Sequence, residues 1–425
     1  TDRLSVNYTA NFVIGSRPNY GQFNYMNSKE RVQFSQEAFN WGTPFAKEPI
    51  KQPYTYEGLL RMYLEHDISA EEFIAQRGQL ETQNTDWFKL LTRRSFSHNH
   101  NLSISGGTNK FSYSTSVGYS KSDGQEIGNS SERMTGRIAL TMRPVQKLTI
   151  NAALNGSVST NKGFAGGVAP MDYATTTNRI INPDVFYQKT ATYDYNDNVQ
   201  SLGYNFINER NNSSASSSST HLSASLDLKW DILDWLSYQF TGGYSNTSSN
   251  SESYMTEQTY YIAQKYRGYD YNSVTPGSAE FKAAVLPFGG ELYNNDGRQS
   301  SYNIQNKILI SKAFDQNNRL NALIGMELRS STNKSLGHTM WGYAPDRGEV
   351  ILRPTTLSDF QPITGSGQSG WGILEELYSG HWSKTNVTDN YLSFFATFAY
   401  SFMNRYVVNA NVRNQPFRTG YQPSF

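Results

Sequence analysis

Apolar and polar residues alternate at a strict period of two through most of this sequence. That period fits a β-strand, in which successive side chains point to opposite faces of the sheet. In 111–120, FSYSTSVGYS, the odd positions are apolar or aromatic apart from Thr115, whereas the even positions are tiny and mostly polar. The even face has nothing with which to fill a core and is expected to meet water. Leu4, Val6, Tyr8, Ala10, Phe12 and Ile14 alternate with Ser5, Asn7, Thr9 and Asn11, and Leu148, Ile150, Ala152 and Leu154 with Thr149, Asn151, Ala153 and Asn155. Charge obeys the same rule. Met134, Ile138, Leu140 and Met142 share one face and Arg133, Arg137 and Arg143 the other. With 96–106, 222–230, 236–244, 304–310, 322–328, 392–400 and 406–412 the pattern gives eleven strands, and helical patterns are confined to connections.

Alternation alone also suits a soluble antiparallel sheet with one wet face. Connection length separates the cases, because the connections run long, short, long, short along the chain. The short ones are 107–109, 144–147, 231–234, 313–318 and 403–405; the long ones are 16–95, 121–132, 159–218, 248–300 and 331–389. Short turns at one end and long loops at the other are the pattern of an outer-membrane β-barrel. Trp230, Trp235, Tyr238, Tyr400 and Tyr406 cluster beside the short turns, where an interfacial aromatic girdle belongs. The expected fold is all-β, a transmembrane antiparallel barrel whose long extracellular loops carry short helices. The alternatives are a soluble or surface β-rich binding or adhesion module and, behind it, a secreted enzyme; either must bury the apolar face against a second layer.

Composition removes other classes. The mean hydropathy is −0.62 and no run approaches 18 apolar residues, so a transmembrane helix is excluded, though a strand crosses with only about 9–11 residues. Net charge is +1, with no basic run, so nucleic acid is not an expected partner. Zero cysteine removes disulfides, thiolate metal sites and cysteine nucleophiles. Thr1-Asp2-Arg3-Leu4 lacks an apolar leader, and eleven is an odd count for a closed bacterial barrel. The expectation is half of a larger barrel.

In the first long loop, Asn27-Ser28 is placed to cap a helix over 29–39, 56–66 is amphipathic, and Asp86-Trp87 starts a third. A helix over 171–187 stopping at Asn182-Pro183 and a mobile serine-rich loop at 213–220 are also expected. Gly365 to Gly370 matches a dinucleotide fingerprint but follows no buried strand and opens no helix. His98 and His100 share a strand face without an evident third ligand, so no metal site is assigned. Glu71-Glu72 and Glu375-Glu376 are adjacent in the chain and do not flank a common bond, and no nucleophile elbow is present. No catalytic residue and no cofactor is expected. Trp341, Tyr343, Trp371 and Trp382 fall in one long loop, where flat aromatic faces suit amphipathic ligands such as sugars. By alternation, Ser112, Ser114, Asn151 and Asn155 face the lumen, and Arg133, Arg137 and Arg143 face it or contact a plug.

Asp86-Trp87, then the run from His98-Asn99-His100-Asn101 to Gly106-Gly107, Phe111-Ser112-Tyr113 and Gly118-Tyr119 closely resemble the early barrel of SusC/RagA-type TonB-dependent transporters of Bacteroidetes outer membranes. Residues 23–31 and 391–413 resemble two further blocks of it. The resemblance implies a 22-stranded barrel around an N-terminal plug, a SusD-like surface lipoprotein as lid, and import of oligosaccharides or peptides with energy from the TonB complex. On that basis 1–425 is the first half of the barrel, in contact with outer-membrane lipid, without plug, N-terminal extension or closing strands. The tail 413–418, RNQPFR, departs from the Arg-x-Asp-Gly-Ser run usual in the family.

Overall fold

The wall of the molecule is a 13-stranded antiparallel sheet, seen in a computed structural model that describes residues 4–43, 48–193, 198–352, 381–414 and 417–421. Its strands begin with β1 (Ser5–Gly15), β2 (Ser95–Gly107), β3 (Phe111–Asp123), β4 (Ser130–Val145) and β5 (Leu148–Gly163). A separate hairpin, β6 (Tyr187–Tyr193) and β7 (Asn198–Tyr204), interrupts them. The wall resumes with β8 (Ser213–Leu233), β9 (Leu236–Met255), β10 (Gly290–Ala313) and β11 (Arg319–Ala344). It ends with β12 (Val350–Ile351), β13 (His381–Phe402), β14 (Tyr406–Asn414) and β15 (Phe417–Tyr421). Each wall strand pairs with its neighbour in sequence; β12 and β15 are short additions to β11 and β13, and β1 and β14 are edges, so the sheet is not closed. Every segment of two-residue alternation lies in one of the eleven strands along the main path.

In the long strands alternation marks only the part next to the short turns. In β8 the apolar face spans 222–230, nine residues of a 21-residue strand, and this matches the roughly 9–11 that cross a bilayer. Above it the 213–220 serines form ladder pairs, Ser216 with Glu252 and Ser218 with Asn250, and are not the mobile loop expected. The same extension takes β10 to 24 residues and β11 to 26, so the long connections are shorter than the sequence implied. Once both faces of a strand are polar, nothing in the sequence distinguishes it from a loop.

On the apolar face, pairing sets Met142, Ile150, Leu228, Phe240, Asn306, Met326 and Phe394 side by side. Among the described residues this surface has no second layer: Ile308 is 46% exposed, Ile324 56% and Val412 66%. Asn306 is the polar member of the row, and the Tyr238 hydroxyl donates to its Oδ1 at 2.6 Å.

The hydrophobic core sits in the loops. Asn27 caps α1 (Ser28–Asn40) by a reciprocal pair of hydrogen bonds with Glu30, and Ser69 and Glu72 do the same for α3 (Ala70–Thr82). Between them Thr55 caps α2 (Tyr56–Leu64), and Asp86 caps α4 (Trp87–Leu91) through Lys89 N at 2.9 Å. Val32, Leu59, Leu60, Trp87, Phe88 and Leu91 pack with Ile180, Ile181 and Phe206 into one buried cluster. The helix expected over 171–187 is only α5 (Pro170–Thr176). It stops in a run of threonines, where the Thr175 and Thr176 hydroxyls turn back to Asp172 O. The remaining loop helices are α6 (Phe206–Asn211), α7 (Tyr260–Ile262) and α8 (Ala279–Ala283).

Candidate functional site

The face opposite the apolar row is lined with hydroxyls and amides. One pairing row runs Ser116, Arg137, Asn155, Ser223, Ser245, Ser301, Ser331 and Asp389 across eight neighbouring strands. A second, nearer the short turns, runs Ser112, Thr141, Asn151, Asp227, Thr241, Gln305, Glu327 and Ser393. Side chains bond along these rows: Thr141 to Asn151 at 2.9 Å, Ser245 to Ser301 at 2.8 Å, and Asn155 to Ser223 at 3.4 Å. Ser112, Asn151, Asn155 and Arg137 are members of these rows, while Ser114 and Arg133 lie on the same face outside them. Arg143 lies in the irregular stretch between Met142 and Val145, where pairing does not fix its face.

Ser245, Ser301, Ser331, Asp389, Arg329 and Tyr391 line a groove of about 560 Å³ on this face. Below it, Glu327 is held by two guanidinium groups, Arg413 at 2.8 Å and Arg329 at 3.3 Å. Arg413 also donates to Ser393 at 3.1 Å, and Arg329 lies 5.5 Å from the Tyr391 ring centroid. The groove thus offers hydroxyls, an aromatic face and both signs of charge, a set that binds amphipathic, hydrogen-bonding molecules. Sequence reasoning missed Ser223, Ser245, Ser301 and Ser331. Each lies on the polar side of its own strand, but only the inter-strand register brings them into one row.

The loop aromatics fall elsewhere than the sequence suggested. Trp341 and Tyr343 belong to β11 and Trp382 to β13, so they are strand residues. Trp371, with Gly365 to Gly370 and Glu375-Glu376, lies outside the described residues. Trp382 is 66% exposed on the face of the apolar row, with its ring 6.0 Å from that of His338. Tyr343 is 4% exposed, and burial pushes its hydroxyl up to about 12. Trp341 joins a polar knot above the wall. Its indole N–H donates to Tyr266 Oη at 2.8 Å, Tyr266 and Tyr261 both bond Glu291, and Lys265 reaches Glu291 at 2.9 Å. Burial alone would lower the Lys265 ammonium, but its bonds to Tyr261, Tyr266 and Glu291 prevail and raise it. The three described aromatics therefore do not converge on one ligand surface.

A second knot orders the same loops. Buried Glu257 accepts from Gly289 N at 2.6 Å and pairs with Arg347, while Arg267 donates to the Glu257 carbonyl. His98 and His100 bond each other at 3.1 Å and stack among Tyr8, Phe12 and Tyr119, and no cluster of three metal-ligating side chains occurs among the described residues.

No family model matches the sequence, and no curated protein matches it. Solved structures do. The chain is similar to a chain of the RagAB peptide transporter at 18% identity, with a TM-score of 0.63, over 99% of its own length and 44% of that chain. Structures of the RagAB peptide importer in its "closed-closed" and "open-open" states give TM-scores of 0.64 and 0.62 at 18% and 19% identity. The chain spans less than half the length of these proteins, and its fold is that of a stretch of SusC/RagA-type barrel.

Proposed function

We propose that this chain is wall and surface loops of a SusC/RagA-type, TonB-dependent importer of the bacterial outer membrane. In this reading 1–425 is the first half of the barrel. The polar rows face the lumen and guide oligosaccharides or peptides, and a SusD-like surface lipoprotein closes over the loops. The observation that carries it is the two-sidedness of the wall: an exposed nine-residue apolar band on one face and continuous polar rows on the other. A soluble β-rich module would need a second layer over that band, and none covers it among the described residues. Likeness to a peptide transporter adds support for import, with peptides as the first substrates to try.

The test is detergent extraction of outer membranes followed by mass spectrometry of what co-purifies with the intact protein, together with uptake of labelled peptides and oligosaccharides by cells with and without its gene. A stoichiometric lipoprotein and gene-dependent uptake of one class support the reading. Recovery in the soluble fraction without a lipoprotein overturns it.

A further inference from the structure

The lower outer surface of the wall carries a feature that passage of a substrate through the lumen does not use. Leu148, Leu228, Trp230, Leu236, Tyr238 and Ile308 line a wholly apolar groove of about 420 Å³. Pairing sets Leu148 beside Trp230, Trp230 beside Tyr238, and Tyr238 beside Ile308, so the groove crosses β5, β8, β9 and β10 on the face of the apolar row. Its volume lies within the roughly 300–1,000 Å³ of small-molecule sites. Toward the short turns, Ile310 pairs with Leu236, and Lys312 is the next residue on that face. The Lys312 ammonium lies 5.0 Å from the Trp235 ring centroid and 5.6 Å from that of Phe314. It forms no ion pair among the described residues, whereas Lys147, in the β4–β5 turn, is paired with Asp234 of the β8–β9 turn at 3.1 Å.

We infer that this groove holds one acyl chain of an anionic phospholipid whose phosphate meets Lys312. The inference rests on the membrane reading above. An apolar trough ending in a single uncompensated ammonium, which stands between two aromatic rings at the level of the girdle, complements a molecule with a hydrocarbon tail and a negative head. The surface is also continuous with the exposed apolar band, where lipid is the surrounding medium. A basic side chain near anionic lipid contributes about 1 kcal/mol, roughly a fivefold preference.

The experiment is native mass spectrometry of the intact protein, extracted from membranes into detergent and titrated with dioleoylphosphatidylglycerol or dioleoylphosphatidylcholine. The expected result is one phosphatidylglycerol retained per chain in preference to phosphatidylcholine, with the preference falling about fivefold in Lys312→Gln and unchanged in Lys147→Gln. Leu228→Trp, which fills the trough, removes the bound lipid of either kind, and heat-modifiable migration on gels verifies that each variant has assembled. Equal retention of both lipids by the native protein, an unchanged preference in Lys312→Gln, or lipid retained by assembled Leu228→Trp overturns the site. Those outcomes in membrane-extracted protein leave the import reading standing, whereas recovery of the protein in the soluble fraction overturns both.

Discussion

The loop cap and the wall are stabilised in opposite ways. In the cap, Trp87, Phe88, Leu59 and Leu91 are sealed among α1, α2, α4 and the 180–181 segment, and the helices around them are closed by side-chain caps. The wall has continuous backbone ladders and almost no interior, because its apolar side chains lie exposed on one face and its polar ones on the other. A water-soluble fold cannot be built the second way, since each outward leucine or phenylalanine forfeits its burial. Where hydrocarbon is the solvent, the ladder becomes the dominant requirement, because an unpaired N–H or C=O has no water to turn to. The cap therefore reads as a small water-soluble core carried on a wall whose apolar face meets no protein layer among the described residues.

The sharpest way to break this contrast is to empty the cap. Trp87 stacks edge-on against Tyr173 with centroids 5.0 Å apart and donates to Asn178 O at 3.3 Å. Trp87→Ala is expected to cost about 3–5 kcal/mol, confined to the cap. Surface proteolysis on whole cells should then cut the loops while heat-modifiable migration of the barrel persists. Loss of both together would show that cap and wall fold as one unit.

The next test works one residue apart in β9. Phe240 lies in the apolar row and Thr241 in the polar row beside it. Phe240→Lys puts a charge in lipid, at about 2–4 kcal/mol near the midplane, and should lower the assembled yield; Thr241→Lys should assemble normally. Equal yields would sink the assignment of faces.

The contrast also decides what the sequence could reveal. Within the nine-residue band, lipid on one face and water on the other imprint a period of two, so 222–230 and 236–244 were legible as strands. Above the band that asymmetry disappears, so the β8 serines looked like a loop, and Trp341 and Trp382 looked like neighbours in one. The caps at Asn27 and Asp86 were legible because capping is local chemistry. Helix α3 was not, because Phe73, Ile74 and Leu80 are too few to print a stripe on it. The serine row and the Lys312 groove depend on register across four or more strands, which no single segment encodes.

A smaller effect is expected at the polar member of the apolar row. Tyr238→Phe removes the hydroxyl that serves Asn306 and leaves an amide unsatisfied in the band, at a cost of about 1–3 kcal/mol. Asn306→Leu in the same background should restore stability to thermal denaturation in detergent. Failure of that rescue would mean that Asn306 does not face lipid.

In the cap, acid should act on one clamp. Burial alone would raise the Glu57 carboxyl, but Arg31 at 2.9 Å and the Ser35 hydroxyl at 2.7 Å outweigh it and hold it below the usual carboxylate range. The clamp's contribution is therefore complete above the unfolded value of about 4.3 and is lost as pH falls through the lower folded value. The protection factors of α1 amides, taken against the intrinsic exchange rate at each pH, should fall on acidification by an amount corresponding to about 1 kcal/mol, and this acid dependence should vanish in Glu57→Gln. An unchanged acid dependence in that variant would assign the effect elsewhere.

The smallest effect belongs to the wall's last short turn. Phe402, Met403, Asn404 and Arg405 form a tight turn within the three-residue 403–405 connection, with Arg405 N donating to Phe402 O at 3.1 Å and φ of 52° at Met403 and 53° at Asn404. Such a turn needs left-handed backbone at both central positions. Asparagine tolerates it, but methionine has no short polar side chain to compensate the crowding at Cβ. Met403→Gly relieves that strain but frees the unfolded chain, so the gain should be at most about 1 kcal/mol, and Met403→Asn should keep it without the entropic loss. Thermal denaturation in detergent is expected to rank Asn above Gly above the native residue. The reverse ranking would mean that the Met403 side chain contributes more by its apolar contact with the surroundings than its backbone costs, which would make this turn part of the lipid-facing surface.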